Sequence, residues 1–104
     1  MTLQAEIEVD VFSGRPNPSF ALGEEDARQL KQLLDEAREA ATEFSAPPAL
    51  GFRGYVIRFA PSQEEYRLFG GVIVKGGRAF RDPHREAEEF VRARLPAEIK
   101  KFTP

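Results

Sequence analysis

The sequence predicts an α+β fold: an antiparallel sheet of four or five strands with two helices packed on one face. Three observations carry this reading. Leu3, Ala5, Ile7, Val9 and Val11 alternate with Gln4, Glu6, Glu8 and Asp10, the period of a strand with one dry face and one wet face. Ala27, Leu30, Leu34, Ala37, Ala41 and Phe44 recur at spacings of three and four, the stripe of an amphipathic helix. Residues 52–81 are rich in aromatic and β-branched side chains and are punctuated by two Gly-Gly pairs, which suits consecutive strands. At 104 residues the chain is expected to form one domain over 1–104.

The elements follow in order. The first strand covers residues 3–12 and breaks at Ser13-Gly14-Arg15-Pro16-Asn17-Pro18, which is built of turn-forming residue types. Phe20 and Leu22 then suggest a short second strand. A helix is expected over 23–44, with Glu24, Glu25 and Asp26 in the first turn, where the helix dipole favours negative charge. Pro47 and Pro48 lie just beyond it, where consecutive prolines stop a helix. Residues 52–60 read as a strand. Residues 66–75 read as one long strand that bulges or bends at Gly70-Gly71. Gly76-Gly77 between Val72–Lys75 and Arg78–Arg81 is a two-residue hairpin signal. A last helix is expected over 83–95, with Asp82 as N-cap and Pro83 at its first position.

Composition narrows the function. Hydrophobic residues are 41% and charged residues 31% of the chain, which fits a folded domain and no membrane span. The opening residues alternate apolar and acidic types, unlike a signal peptide, so a cytoplasmic location is expected. With no cysteine and one histidine, disulfides, zinc–thiolate sites and iron–sulfur clusters drop out. No metal and no cofactor are expected. The net charge of −2 conceals an asymmetry: residues 1–52 hold 4 Lys/Arg against 10 Asp/Glu, and residues 53–104 hold 11 against 7. The overall acidity argues against nucleic acid as a partner.

The loop 13–18 is the first candidate site. Pro16 and Pro18 fix their own φ and push Arg15 and Asn17 toward extended backbone. A guanidinium and a carboxamide are thereby held ready to read a carboxylate, phosphate or peptide backbone. The alternative is a rigid turn in which Asn17 caps neighbouring backbone groups. In residues 53–104, Arg outnumbers Lys eight to three, which favours bidentate anion contacts. The expected ligand-binding set is therefore Ser13, Arg15, Asn17, Arg53, Tyr55 and Arg81. Glu6, Glu8 and Asp10 form a carboxylate row, best explained by pairing with arginines on neighbouring strands.

For catalysis, His84 is the one side chain whose ordinary pKa lies near neutrality. As a general base it needs an orienting carboxylate such as Asp82 or Asp10. The alternative is an exposed histidine at a helix start.

The string Ser13-Gly14-Arg15-Pro16-Asn17-Pro18 after a strand, with Arg81-Asp82-Pro83 opening the last helix, resembles a group of small uncharacterised bacterial proteins. The resemblance covers most of the chain and implies no activity.

Two functions are therefore expected from the residues. The first is a non-enzymatic binding domain that recognises a peptide, a partner protein or a small anionic ligand through the loop and nearby arginines. The second is a small cofactor-independent lyase, isomerase or peptide-tailoring enzyme using His84 or a carboxylate for proton transfer. A homodimer is expected because an exposed hairpin invites edge-to-edge pairing.

Overall fold

In the computed structural model, described for residues 2–37 and 51–104, the strands are β1 (Gln4–Val9), β2 (Ser19–Leu22), β3 (Tyr55–Ala60), β4 (Glu65–Phe69), β5 (Val72–Lys75) and β6 (Arg78–Arg81). The helices are α1 (Glu24–Glu36), α2 (Glu86–Arg94) and the one-turn α3 (Ala97–Lys100), with a 3₁₀ turn over Pro83–Arg85. The six strands form one sheet in the order β2-β1-β3-β4-β5-β6, and every neighbouring pair is antiparallel.

The sheet thus has six strands, not the expected four or five. The difference arises at Gly70-Gly71. Phe69 pairs with Val72 across these two residues, and both glycines have positive φ, 59° and 80°. This is a tight reversal of the type that suits the strand twist, so residues 66–75 are two strands and not one bent strand. Gly76-Gly77 makes the second such turn, closing Lys75 against Arg78 as expected.

The period-two pattern of β1 orients the sheet. Ala5, Ile7 and Val9 are buried and face the core, while Gln4 and Glu6 are exposed. The register carries that face across the sheet, pairing Ile7 with Ile57, Ile57 with Tyr66, and Leu68 with Ile73. Ala27, Leu30, Leu34 and Ala37 of the α1 region, with Ala87 and Val91 of α2, pack onto these residues in one core cluster. The two longer helices share the sheet face, as expected. The parts of the expected first helix beyond residue 37, and the proline stop after it, lie outside the described residues.

The last helix starts later than expected. Pro83 opens a 3₁₀ turn in which His84 and Arg85 both adopt the left-handed conformation, φ 52° and 54°. Asp82 still does the capping. Its buried carboxylate accepts the N–H groups of Ala87 (3.0 Å) and Glu88 (3.1 Å), the second and third residues of α2. Burial pushes its carboxyl up, against the pull of these two donors. Among the described residues, no helix is long and apolar enough to cross a membrane.

Candidate functional site

The loop between β1 and β2 is closed at its base by the Val9 N–H, which donates to the Pro18 carbonyl (2.9 Å). Inside it, Asn17 uses both ends of its carboxamide. Oδ1 accepts the N–H groups of Val11 (3.0 Å) and Phe12 (2.8 Å). Nδ2 donates to Glu8 Oε2 (2.8 Å) and Asp10 Oδ1 (3.3 Å). The carboxamide therefore stands in for the backbone pairing that the prolines cannot supply.

Asp10 is the hub of the neighbouring network. Arg53 donates to Asp10 Oδ1 from Nη2 (2.9 Å) and to the Phe12 carbonyl (2.6 Å). Arg67 donates to Asp10 Oδ2 (2.7 Å). Partial burial pushes the Asp10 carboxyl up, but the hydrogen bonds from Arg67 and Arg53 outweigh it and hold the group below its usual range. Glu8 is likewise held low, first by the bond from Asn17 and then by that from Arg58. Arg58 binds Glu8 (2.9 Å) and Glu65 (3.0 Å), so the strands β1, β3 and β4 are laced together on the face away from the helices. Val56, 3% exposed on that same face, lies under these long side chains.

The tip of the loop is different. Ser13, Gly14, Arg15 and Pro16 are exposed. The Arg15 guanidinium lies over the Phe12 ring, 3.7 Å from its centroid. Phe12 in turn meets the Phe102 ring edge-on at 5.0 Å, and Lys101 Nζ lies 5.2 Å from the Phe102 ring. Among the described residues no carboxylate pairs with Arg15. A stacked, half-exposed Arg–Phe–Phe ladder thus stands beside a loop whose backbone is already held.

The expected site residues divide accordingly. Ser13, Arg15, Asn17, Arg53 and Asp10 come together at one end of the sheet. Tyr55 does not join them: it pairs with Val9 on the core face and is 2% exposed. Its ring packs edge-on against Phe52 (5.2 Å), and burial pushes its hydroxyl up to about 12. Sequence reasoning set Tyr55 among the arginines because residue order does not say which face a strand residue takes. Arg81 is exposed but sits on β6, four strand spacings, or about 19 Å, from β1. His84 lies beyond β6 and is exposed, so Asp10 does not orient it. The Asp82 carboxylate is taken by the α2 N–H groups. His84, Asp10 and Asp82 do not converge on one point.

A second network was not visible in the sequence. The buried Tyr66 hydroxyl donates to Asp35 Oδ1 (2.8 Å) and accepts from Lys75 Nζ (3.0 Å). Lys31 bridges Asp35 (3.0 Å) and Glu64 (2.9 Å), and Lys75 reaches Glu64 (2.6 Å). The bonds from Lys75 and then Lys31 lower Glu64 to about 2, and burial raises the Tyr66 hydroxyl. With both lysines committed to carboxylates and the tyrosine raised, this is a clasp between α1 and the sheet. The one sequence signal was the i, i+4 pair Lys31–Asp35, which shows two of its five members.

No protein-family model, curated protein or solved structure matches this chain.

Proposed function

We propose that this chain is a binding domain that recognises a peptide or a partner protein through the tip of loop 13–18 and the ladder of Arg15, Phe12 and Phe102. The observation that carries the proposal is the division of labour inside the loop. Asn17 makes four hydrogen bonds that hold the backbone, while Arg15 is left exposed on an aromatic ring. A surface ordered before contact loses little entropy on binding, and arginine and aromatic side chains supply most interface hot spots. The small-anion version of this function is the weaker one. Arg53, Arg58 and Arg67 already bind Asp10, Glu8 and Glu65, so little free positive charge remains at that end of the sheet.

The test is a selection from a displayed peptide library against the intact chain, followed by calorimetric titration of the enriched peptides. The Arg15→Ala variant should bind them at least about ten-fold more weakly, the loss of one hot-spot side chain, while its unfolding free energy changes by no more than about 1 kcal/mol. Equal affinity for both proteins, or no enrichment, would overturn the proposal.

A further inference from the structure

The sheet ends at β6, away from the loop 13–18. Because Lys75 and Arg78 flank a two-residue turn, they are a mutually hydrogen-bonded pair. Alternation then points the N–H and C=O of Ala79 and Arg81 away from β5. Among the described residues, no strand pairs with β6 on that side.

The exposed charges along this edge, Arg78, Arg81 and Arg85, are of one sign, and the one carboxylate between them, Asp82, is buried and taken by the α2 N–H groups. Arg78, Arg81, His84 and Arg85 are all exposed, and none forms an ion pair among the described residues. Arg28, Arg53, Arg58, Arg67 and Arg94, in contrast, are each within ion-pair distance of a carboxylate. Beside the strand, Lys75, Gly76, Arg78 and Phe80 line a hollow of about 270 Å³. It has an aromatic wall and the Arg78 guanidinium, which stands 5.9 Å from the Phe80 ring, while Lys75 beside it is held by Glu64.

We infer that β6 takes an extended acidic segment of another protein as a seventh strand, with Asp or Glu residues three apart. The spacing comes from the strand period. Arg78 shares the side of Phe80, and Arg81 shares the side of Ala79, so the two cations stand three residues apart on opposite faces of the sheet. Carboxylates three apart on an added antiparallel strand meet both, and main-chain hydrogen bonds to Ala79 and Arg81 supply the rest. Charge also decides against a second copy as the occupant. An antiparallel β6–β6 pair doubles the Arg78 and Arg81 charge along one seam, with no acid on either strand to answer it. The opposite edge, β2, offers only Ser19, Phe20, Ala21 and Leu22, with no acid to answer the arginines.

The experiment uses two synthetic peptides on the intact chain: threonine-flanked Glu-Val-Thr-Glu and its counterpart Lys-Val-Thr-Lys. The acidic peptide should shift the amide resonances of Arg78–Arg81, bind more weakly as salt is raised, and outcompete the basic peptide at least ten-fold. The double variant Arg78→Glu/Arg81→Glu should invert that preference, and Arg81→Glu alone should weaken acidic binding if the double variant folds poorly. Equal binding of both peptides, shifts confined to other strands, no binding at millimolar peptide, or self-association through β6 would each overturn the inference.

Discussion

Asn17 and Arg15 are two residues apart and do opposite work. Asn17 satisfies two backbone N–H groups and ties two carboxylates, so its removal leaves several part-buried partners unmatched. Asn17→Ala is expected to lower unfolding free energy by about 1–3 kcal/mol, measured by urea denaturation. Arg15→Ala removes only an exposed cation–π contact and is expected to change stability by about 0.5–1 kcal/mol. Glu64 sets a pH dependence. Its pKa is depressed from 4.5 to about 2, so the stability it contributes is fully present above about pH 4.5 and is lost as pH falls toward 2. Glu8 and Asp10 are also lowered and act with the same sign. Asp82 is raised and acts in the opposite sense. The melting temperature should therefore fall between pH 4.5 and 2, and Glu64→Gln should flatten that limb. A variant with an unaltered acid limb would show that the clasp is not coupled to folding.

At the scale of elements, backbone geometry is decisive where β3 begins. Gly54 has φ 103°, and a Cβ added there would lie 2.4 Å from the Leu68 carbonyl oxygen. That contact is with backbone, which cannot swing aside. Gly54→Ala is expected to cost more than about 2 kcal/mol through strain and a displaced β3–β4 pair, seen as a lower denaturation midpoint. Gly14→Ala makes a useful comparison: it also has positive φ, 90°, but a Cβ there meets nothing within 4 Å, so only conformational strain remains. For α2, Asp82→Ala removes the cap of two N–H groups and should cost about 1–2 kcal/mol. Asp82→Asn keeps an acceptor and should recover much of that loss. If both variants are equally unstable, the charge and not the cap is what α2 requires.

The whole molecule separates its charge. Six of the ten acids of the first half of the chain lie on β1, at Asp10 just after it, and in the first turn of α1. Of the eight arginines of the second half, Arg53, Arg58, Arg67 and Arg94 cross to meet them, while Arg78, Arg81 and Arg85 are left on β6 or just beyond it. The asymmetry read from the two halves is thus partly neutralised across β1–β3–β4 and left standing at the far edge. Self-pairing through β6 is opposed by that charge, so light scattering should give a monomer mass at low salt. A dimer that persists at low salt and dissociates on Arg81→Glu substitution would contradict this account.

Much of this fold was legible because local patterns and tertiary demands coincide. The alternation of Leu3 to Val11, the stripe of Ala27, Leu30 and Leu34, the Gly76-Gly77 turn and the Asp82 cap each report a local periodicity or a local hydrogen bond. The sequence also determined that Asn17 and Arg15 would sit in a stiff loop, since proline restricts φ wherever it occurs. Only the tertiary structure decided that Asn17 is a stitch and Arg15 a free surface, because that depends on where Glu8, Asp10 and Phe12 lie. The same holds for Tyr55 in the core, for the Tyr66 clasp, whose members are up to 44 positions apart between Lys31 and Lys75, and for Gly70-Gly71 as a reversal rather than a bend. Strand pairing and facing are long-range properties, and a one-residue difference in register exchanges the two faces of a strand.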